Sequence, residues 1–245
     1  MAGVGMTTCF LVNGLSFIPV IAGLLLMRLP EFVPPQPSNS AWAHAAEGFS
    51  YVWQNRRMRI LLVLFAVVGI FGWSYSVLMP AYATDILNVG TRQYGALLSA
   101  NGLGALLGAL TVASLGDRLS RRFLVLGGLS IFAATLLLLA FARNYYLALL
   151  LLAVGGWGML LFFSTVNTLL QLNASDHMRG RVMGIWALVF GGMLPVGGLT
   201  AGALSSRWGV SVAVAVGGTV CGLAAFVTWL AVRRHPSGPI SEAAH

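Results

Sequence analysis

The chain has 245 residues, of which 58% are hydrophobic and only 8% charged, and its mean hydropathy is +0.86. Soluble domains carry about a quarter charged residues, so a water-soluble fold is excluded. The formal net charge of +8 comes from arginines alone, since the chain has no lysine, and their clustering at the ends of apolar runs marks membrane topology rather than a nucleic-acid partner.

Seven apolar runs have the length of about 20 residues that a helix needs to cross a bilayer. The first, 8–27, holds Asn13, Ser16 and Pro19 and stops at Arg28. No positive charge precedes it and no small-residue cleavage site follows, so it reads as a span and not as a signal peptide. Residues 29–41 carry Pro30, Pro34, Pro35 and Pro37, the composition of a semi-rigid linker. From 42 to 59 the pattern turns amphipathic, with Trp42, Ala46, Phe49 and Trp53 at helical spacing ahead of Arg56, Arg57 and Arg59. That segment fits a helix lying on the membrane surface and equally a soluble connector packed on the bundle.

The second span is 60–80, followed by a loop with Asp85 and Arg92, and the third is 94–115. In the third, Asn101, Gly104, Gly108 and Thr111 recur every three or four residues, presenting a helix face almost without side-chain bulk on which another helix can dock closely. Asp117, Arg118, Arg121 and Arg122 follow at once and must lie in water. Spans four to seven cover 123–142, 146–167 or on to Asn173, 182–205 and 210–232, with charged loops or turns between them and a short polar tail from His235 that is expected to be disordered. The expected organisation is thus a first span (1–28), a linker with a surface helix (29–59), a six-helix bundle (60–235) and the tail (236–245).

Alternating sides along these spans places Arg28, Arg56, Arg57, Arg59, Arg118, Arg121, Arg122, Arg179, Arg181, Arg233 and Arg234 together and leaves only Arg92, Arg143 and Arg207 opposite. The positive-inside rule then puts the larger set and the carboxyl terminus in the cytoplasm and the amino terminus outside. Spans two to four and five to seven form two triplets of inverted topology. Their middle members, spans three and six, are the glycine-rich ones, and Gly104 and Gly108 are expected to pack closely against Gly198 and Gly202. The fold class is all-α, a polytopic membrane bundle.

The loop Asp117-Arg118-Leu119-Ser120-Arg121-Arg122 resembles the cytoplasmic signature of the major facilitator superfamily, with Ala113 and Ser120 where the signature has glycines, departures common in its second copy. The stretches NGLSF at 13–17 and NTLLQ at 167–171, Pro80 at the end of span two and Arg179-Gly180-Arg181-Val182 before span six extend the likeness to the efflux branch that includes macrolide and siderophore exporters. The resemblance implies spans six to twelve of a twelve-span protein, a carboxyl-terminal half whose amino-terminal half is missing. A fragment, a truncated gene model and a split gene each account for that. It also implies alternating access, with Asp117, Arg118, Arg121, Arg122, Arg179 and Arg181 forming a gate, Asp117 pairing between spans three and six. Plain topology marking is the other reading of these arginines.

Span five bears a stripe of Trp157, Leu161, Ser164, Thr168 and Gln171 with Asn167 beside it, and polar groups there must look into the bundle or a watery cavity. Span two offers Gly69, Trp73, Ser76 and Pro80, with Tyr75 nearby. By resemblance these faces line the central cavity, which makes Trp73, Tyr75, Ser76, Trp157, Ser164, Asn167, Thr168 and Gln171 substrate-contact candidates. Ordinary interhelical hydrogen bonding is the alternative.

Without a lysine there is no retinal Schiff base, and every acid and histidine falls in a loop or tail, so no catalytic constellation is expected. No cofactor, metal or disulfide is expected either, Cys9 and Cys221 both lying inside spans. The partners implied are the bilayer of the cell membrane, a small-molecule substrate and the other half. An export antiporter would take its titrating carboxylate from that half, and a non-transporting remnant or receptor-like scaffold is the rival to transport.

Overall fold

The computed structural model describes residues 6–26, 41–116 and 118–234. The linker with Arg28, Asp117 and the tail from His235 lie outside the described residues. Among those described, every regular element is a helix. The chain divides into two units, Met1–Ser40 and Ala41–His245. The first contains α1, Met6–Leu26, with Pro19 inside it. It is 21 residues long, about the length of a bilayer crossing.

The second unit contains α2 (Ala41–Gln54), α3 (Arg56–Ile86), α4 (Thr91–Leu115), α5 (Arg121–Phe141), α6 (Tyr145–Asn173), α7 (Asp176–Trp208) and α8 (Val210–Arg234). The six from α3 to α8 are long and apolar enough to cross a membrane. Short connections make successive helices antiparallel. The ends bearing Arg56, Arg118, Arg122, Arg179 and Arg233 therefore gather at one side of the bundle, and Arg92, Arg143 and Arg207 at the other.

α7 begins at Asp176 and not at 182, so the expected charged loop before it is helical, and two boundaries of α3 also differ from those expected. The break between α2 and α3 falls at Asn55, which is extended and accepts hydrogen bonds from the Arg57 and Met58 amides at 3.0 and 3.3 Å. This N-cap starts a new helix, so Arg56, Arg57 and Arg59 open α3 and do not close the surface helix. At its far end α3 continues past Pro80 to Ile86, because a membrane helix tolerates the single bond a proline removes. α3 is also irregular, with π turns at Val68–Gly72 and Tyr82–Ile86. Tyr82 is wholly buried, and its hydroxyl donates to the Leu139 and Ala142 carbonyls (2.9 and 2.8 Å) at the end of α5.

The glycines show which helices approach most closely. The small face of α4 meets α6. A Cβ on Gly104 would collide with the Ala153 carbonyl, and one on Gly108 would come within 2.9 Å of the Trp157 carbonyl and 3.0 Å of Leu160. Asn101 Nδ2 reaches the Leu152 carbonyl at 3.3 Å, and Thr111 accepts from Trp157 Nε1 at 3.1 Å, so the whole predicted face is engaged. In return, a Cβ on Gly156 would strike the Asn101 carbonyl.

The expected partner was α7, and that expectation is corrected. Gly198 and Gly202 of α7 have nothing within 4 Å of a would-be Cβ. α7 packs instead on α3, where Gly197 lies 2.8 Å, measured the same way, from the Ile70 carbonyl and Gly69 lies under Met193. Each triplet thus lends its middle helix to the first helix of the other. The third members, α5 and α8, pack on each other, with Gly218 against Leu137. A face of small residues specifies close approach, and the exchange between triplets specifies with whom.

Candidate functional site

The centre of the unit is aromatic. Phe65 of α3 lies 4.9 Å from Phe163 of α6 and 5.2 Å from Trp186 of α7, ring centre to ring centre. Trp73 stands 5.7 Å from Phe163 and 6.3 Å from Phe190, and Trp186 stacks on Phe190 at 5.4 Å. Phe65 is buried, whereas Trp73, Phe163, Trp186 and Phe190 are half-buried, so the cluster has a closed floor and an accessible edge. Trp186 Nε1 is buried without a hydrogen-bond partner. Sequence reasoning found only Trp73 here. The four-residue spacing of Trp186 and Phe190 was the available signal, masked by the glycines around it.

Toward the arginine-rich end, α6 continues this edge with Ser164, Asn167, Thr168 and Gln171, all half-buried or exposed. Thr168 donates its hydroxyl to the Ser164 carbonyl at 3.0 Å, and Gln171 donates to Asn167 Oδ1 at 2.6 Å. Ser76 is half-buried in α3, one turn beyond Trp73. Two other candidates are committed to packing. Tyr75 is buried against Phe132 at 6.0 Å and accepts from Asn101 Nδ2 at 2.9 Å, and the Trp157 indole is tied to Thr111.

The residues assigned to the gate separate into two groups. Arg118, Arg121 and Arg122 lie at the junction of α4 and α5. Arg179 and Arg181 open α7, where Arg179 pairs with Asp176 at 2.9 Å and donates to the Gln171 carbonyl at 3.3 Å. Arg181 pairs with Glu47 of α2 at 2.5 Å. Gly48 lies against Arg181 and Ile185, and Val52 is buried, so α2 is packed on the start of α7 while Phe49 and Trp53 stack on each other at its exposed face.

The sequence that forms this bundle matches a known family. The transmembrane secretion effector family, MFS_3, covers residues 1–239. This chain belongs to the major facilitator superfamily. It is 30% identical over 210 residues to the multidrug efflux pump Tap of Mycolicibacterium fortuitum, a match covering 84% of this chain and 51% of the pump. Tap of Mycobacterium tuberculosis (strain ATCC 25618 / H37Rv) is 31% identical over 166 residues, 67% of this chain and 39% of that one. The enterobactin exporter EntS of Salmonella typhimurium is 28% identical over 171 residues, 70% and 40% respectively. The chain spans about half the length, or less, of the curated relatives it matches. It is a multi-pass membrane protein of a transporter superfamily, similar to efflux pumps.

Proposed function

We propose that this chain is the carboxyl-terminal half of a secondary transporter that exports a bulky amphipathic small molecule, a drug or a siderophore, by alternating access. The observation that carries the reading is the half-buried edge formed by Trp73, Phe163, Trp186 and Phe190 and extended by Ser164, Asn167, Thr168 and Gln171. Aromatic rings beside hydroxyl and amide groups suit a solute with one apolar and one polar side. Polar groups on a membrane helix are costly unless they face a watery cavity, which supports assigning this edge to the translocation path. The amino-terminal half would form the opposite wall. The names of the relatives support efflux of this class of solute.

In this reading the arginine-rich end is cytoplasmic, following the positive-inside rule, and the amino terminus is outside. Asp117 with Arg118, Arg121 and Arg122, and Arg179 with Arg181, form the cytoplasmic gate. Charges at helix ends bias such a two-state element because their pairing differs between the states. The edge itself holds no acid or histidine. Of the acids described, Asp85 is in the last turn of α3, Asp176 begins α7 and Glu47 is on α2. Proton coupling therefore belongs to the other half.

Reconstitution tests this directly. Liposomes containing the 245-residue chain alone are expected to show no substrate flux driven by a pH gradient, and co-reconstitution with an amino-terminal half is expected to restore it. Gradient-driven flux from this chain alone would overturn the half-transporter reading and the coupling argument together.

A further inference from the structure

Four helices meet around a small chamber of about 10 Å³, the room that one water molecule needs. Tyr75 of α3, Asn101 of α4, Phe132 and Thr135 of α5 and Gly155 of α6 line it, and leucines of α5 and α6 complete the wall. Tyr75, Phe132, Thr135 and Gly155 are buried, and the chamber shares no residue with the aromatic edge on α3, α6 and α7. Space exists there because α6 presents a glycine. A Cβ on Gly155 would come within 2.9 Å of Thr135 Oγ1 and 4.0 Å of the Phe132 ring.

The polar groups around the chamber are only partly met. Asn101 Nδ2 donates to the Tyr75 oxygen at 2.9 Å and to the Leu152 carbonyl at 3.3 Å, which uses both of its hydrogens. Asn101 Oδ1 accepts no hydrogen bond among the described residues, and the Tyr75 hydroxyl donates its own hydrogen to none of them. Thr135 donates to the Phe132 carbonyl at 2.8 Å, which leaves the lone pairs of its oxygen open. One donor and two acceptors thus surround a space of one water's size. A dry chamber would leave the buried Tyr75 donor unmet, and that costs more than immobilising a single water. A hard cation fits the site badly, because it needs a full shell of oxygens and no carboxylate lines the wall.

We propose that this chamber binds one water molecule, which accepts from the Tyr75 hydroxyl and donates to Asn101 Oδ1 and Thr135 Oγ1. The water joins α3, α4 and α5 at the point where Asn101 also holds the Leu152 carbonyl of α6. A single molecule therefore links the three helices of the first triplet beside their seam with the second. The site does not depend on what is transported.

The test is X-ray radiolysis of the purified full chain in heavy-oxygen water, read by mass spectrometry, because a hydroxyl radical born from a bound water attacks the side chains beside it. Tyr75 and Phe132 are expected to take up the heavy oxygen although both are buried, and Phe162, equally buried but outside the chamber, to take up none. The double variant Y75F/T135V keeps the shape of both side chains while removing the donor and one acceptor. The chamber then becomes largely apolar and dry, and labelling of Phe132 is expected to be lost. If that variant yields no folded monomer, Thr135→Val alone makes the same measurement, with labelling of Tyr75 and Phe132 expected to fall about fivefold, the occupancy change that one hydrogen bond commands. Unlabelled Tyr75 and Phe132 in the parent chain, labelling of Phe162 to the same extent as theirs, or unchanged labelling of Phe132 in the variant would each overturn the proposal.

Discussion

Tyr82 shows how much a single side chain can hold in a bundle with little polar chemistry. Its one hydroxyl hydrogen is shared between the Leu139 carbonyl, which also accepts from the Ala142 amide at 3.1 Å, and the Ala142 carbonyl just past the end of α5. Tyr82→Phe keeps the ring and its packing but removes the donor to the Ala142 carbonyl, while the Leu139 carbonyl keeps the Ala142 amide. It is expected to destabilise the bundle by about 1 kcal/mol, in line with hydrogen bonds in membrane proteins. An unfolding titration in mixed micelles with unchanged stability would show that water already serves the Ala142 carbonyl. At this scale sequence reading was uneven. Asn101 and Thr111 were assigned to a packing face and lie in one, whereas Tyr75 and Trp157 were assigned to a cavity and are bound to those two residues. Spacing placed all four near one another but does not tell which way a large ring leans between two neighbouring helices.

For whole helices, composition and periodicity were enough to find every long membrane helix from α3 to α8. Partners were harder, because small residues lower the steric barrier to many helices at once. The resulting prediction separates the corrected pairing from the expected one. In this chain Gly104→Leu and Gly197→Leu drive a side chain into a backbone carbonyl of α6 or α3, and overpacking of this kind costs about 1–3 kcal/mol or more. Gly198→Leu and Gly202→Leu place theirs in open space. Folded monomer recovered in detergent is expected to fall severalfold for the first pair and to stay near the parent level for the second. Equal losses in all four would restore the pairing of α4 with α7. The start of α3 was misplaced for a related reason. A run of arginines reads the same whether it closes one helix or opens the next, and Asn55, which decides it, is a cap whose role shows only in its backbone angles.

Across the molecule, ten of the thirteen described arginines gather at one end, and only Arg92, Arg143 and Arg207 at the other. Cysteine labelling with an impermeant reagent reads that asymmetry in cells, in a background lacking Cys9 and Cys221. Ser120→Cys and Gly180→Cys are expected to stay unlabelled until the membrane is opened, and Arg92→Cys to label at once. Arg92, in the first turn of α4, serves better than Asn88 in the connection before it, whose positive φ of 53° disfavours a cysteine. External labelling at position 120 would reverse the orientation proposed above. The inverted triplets were legible from span count and loop charge, but the exchange of helices between them was not, since it depends on the glycine contacts.

The π turn at Val68–Gly72 changes how α3 must be counted. Eight residues separate Phe65 from Trp73, which on an unbroken α-helix turns the second about 80° away from the first. The turn takes up one extra residue, so the two stand as though seven apart, within about 20°, and both rings reach Phe163. Phase along α3 is therefore continuous only as far as Val67. Beyond Gly72 each position faces where its predecessor would have faced, and a helical wheel drawn through the whole span assigns its second half to the wrong wall.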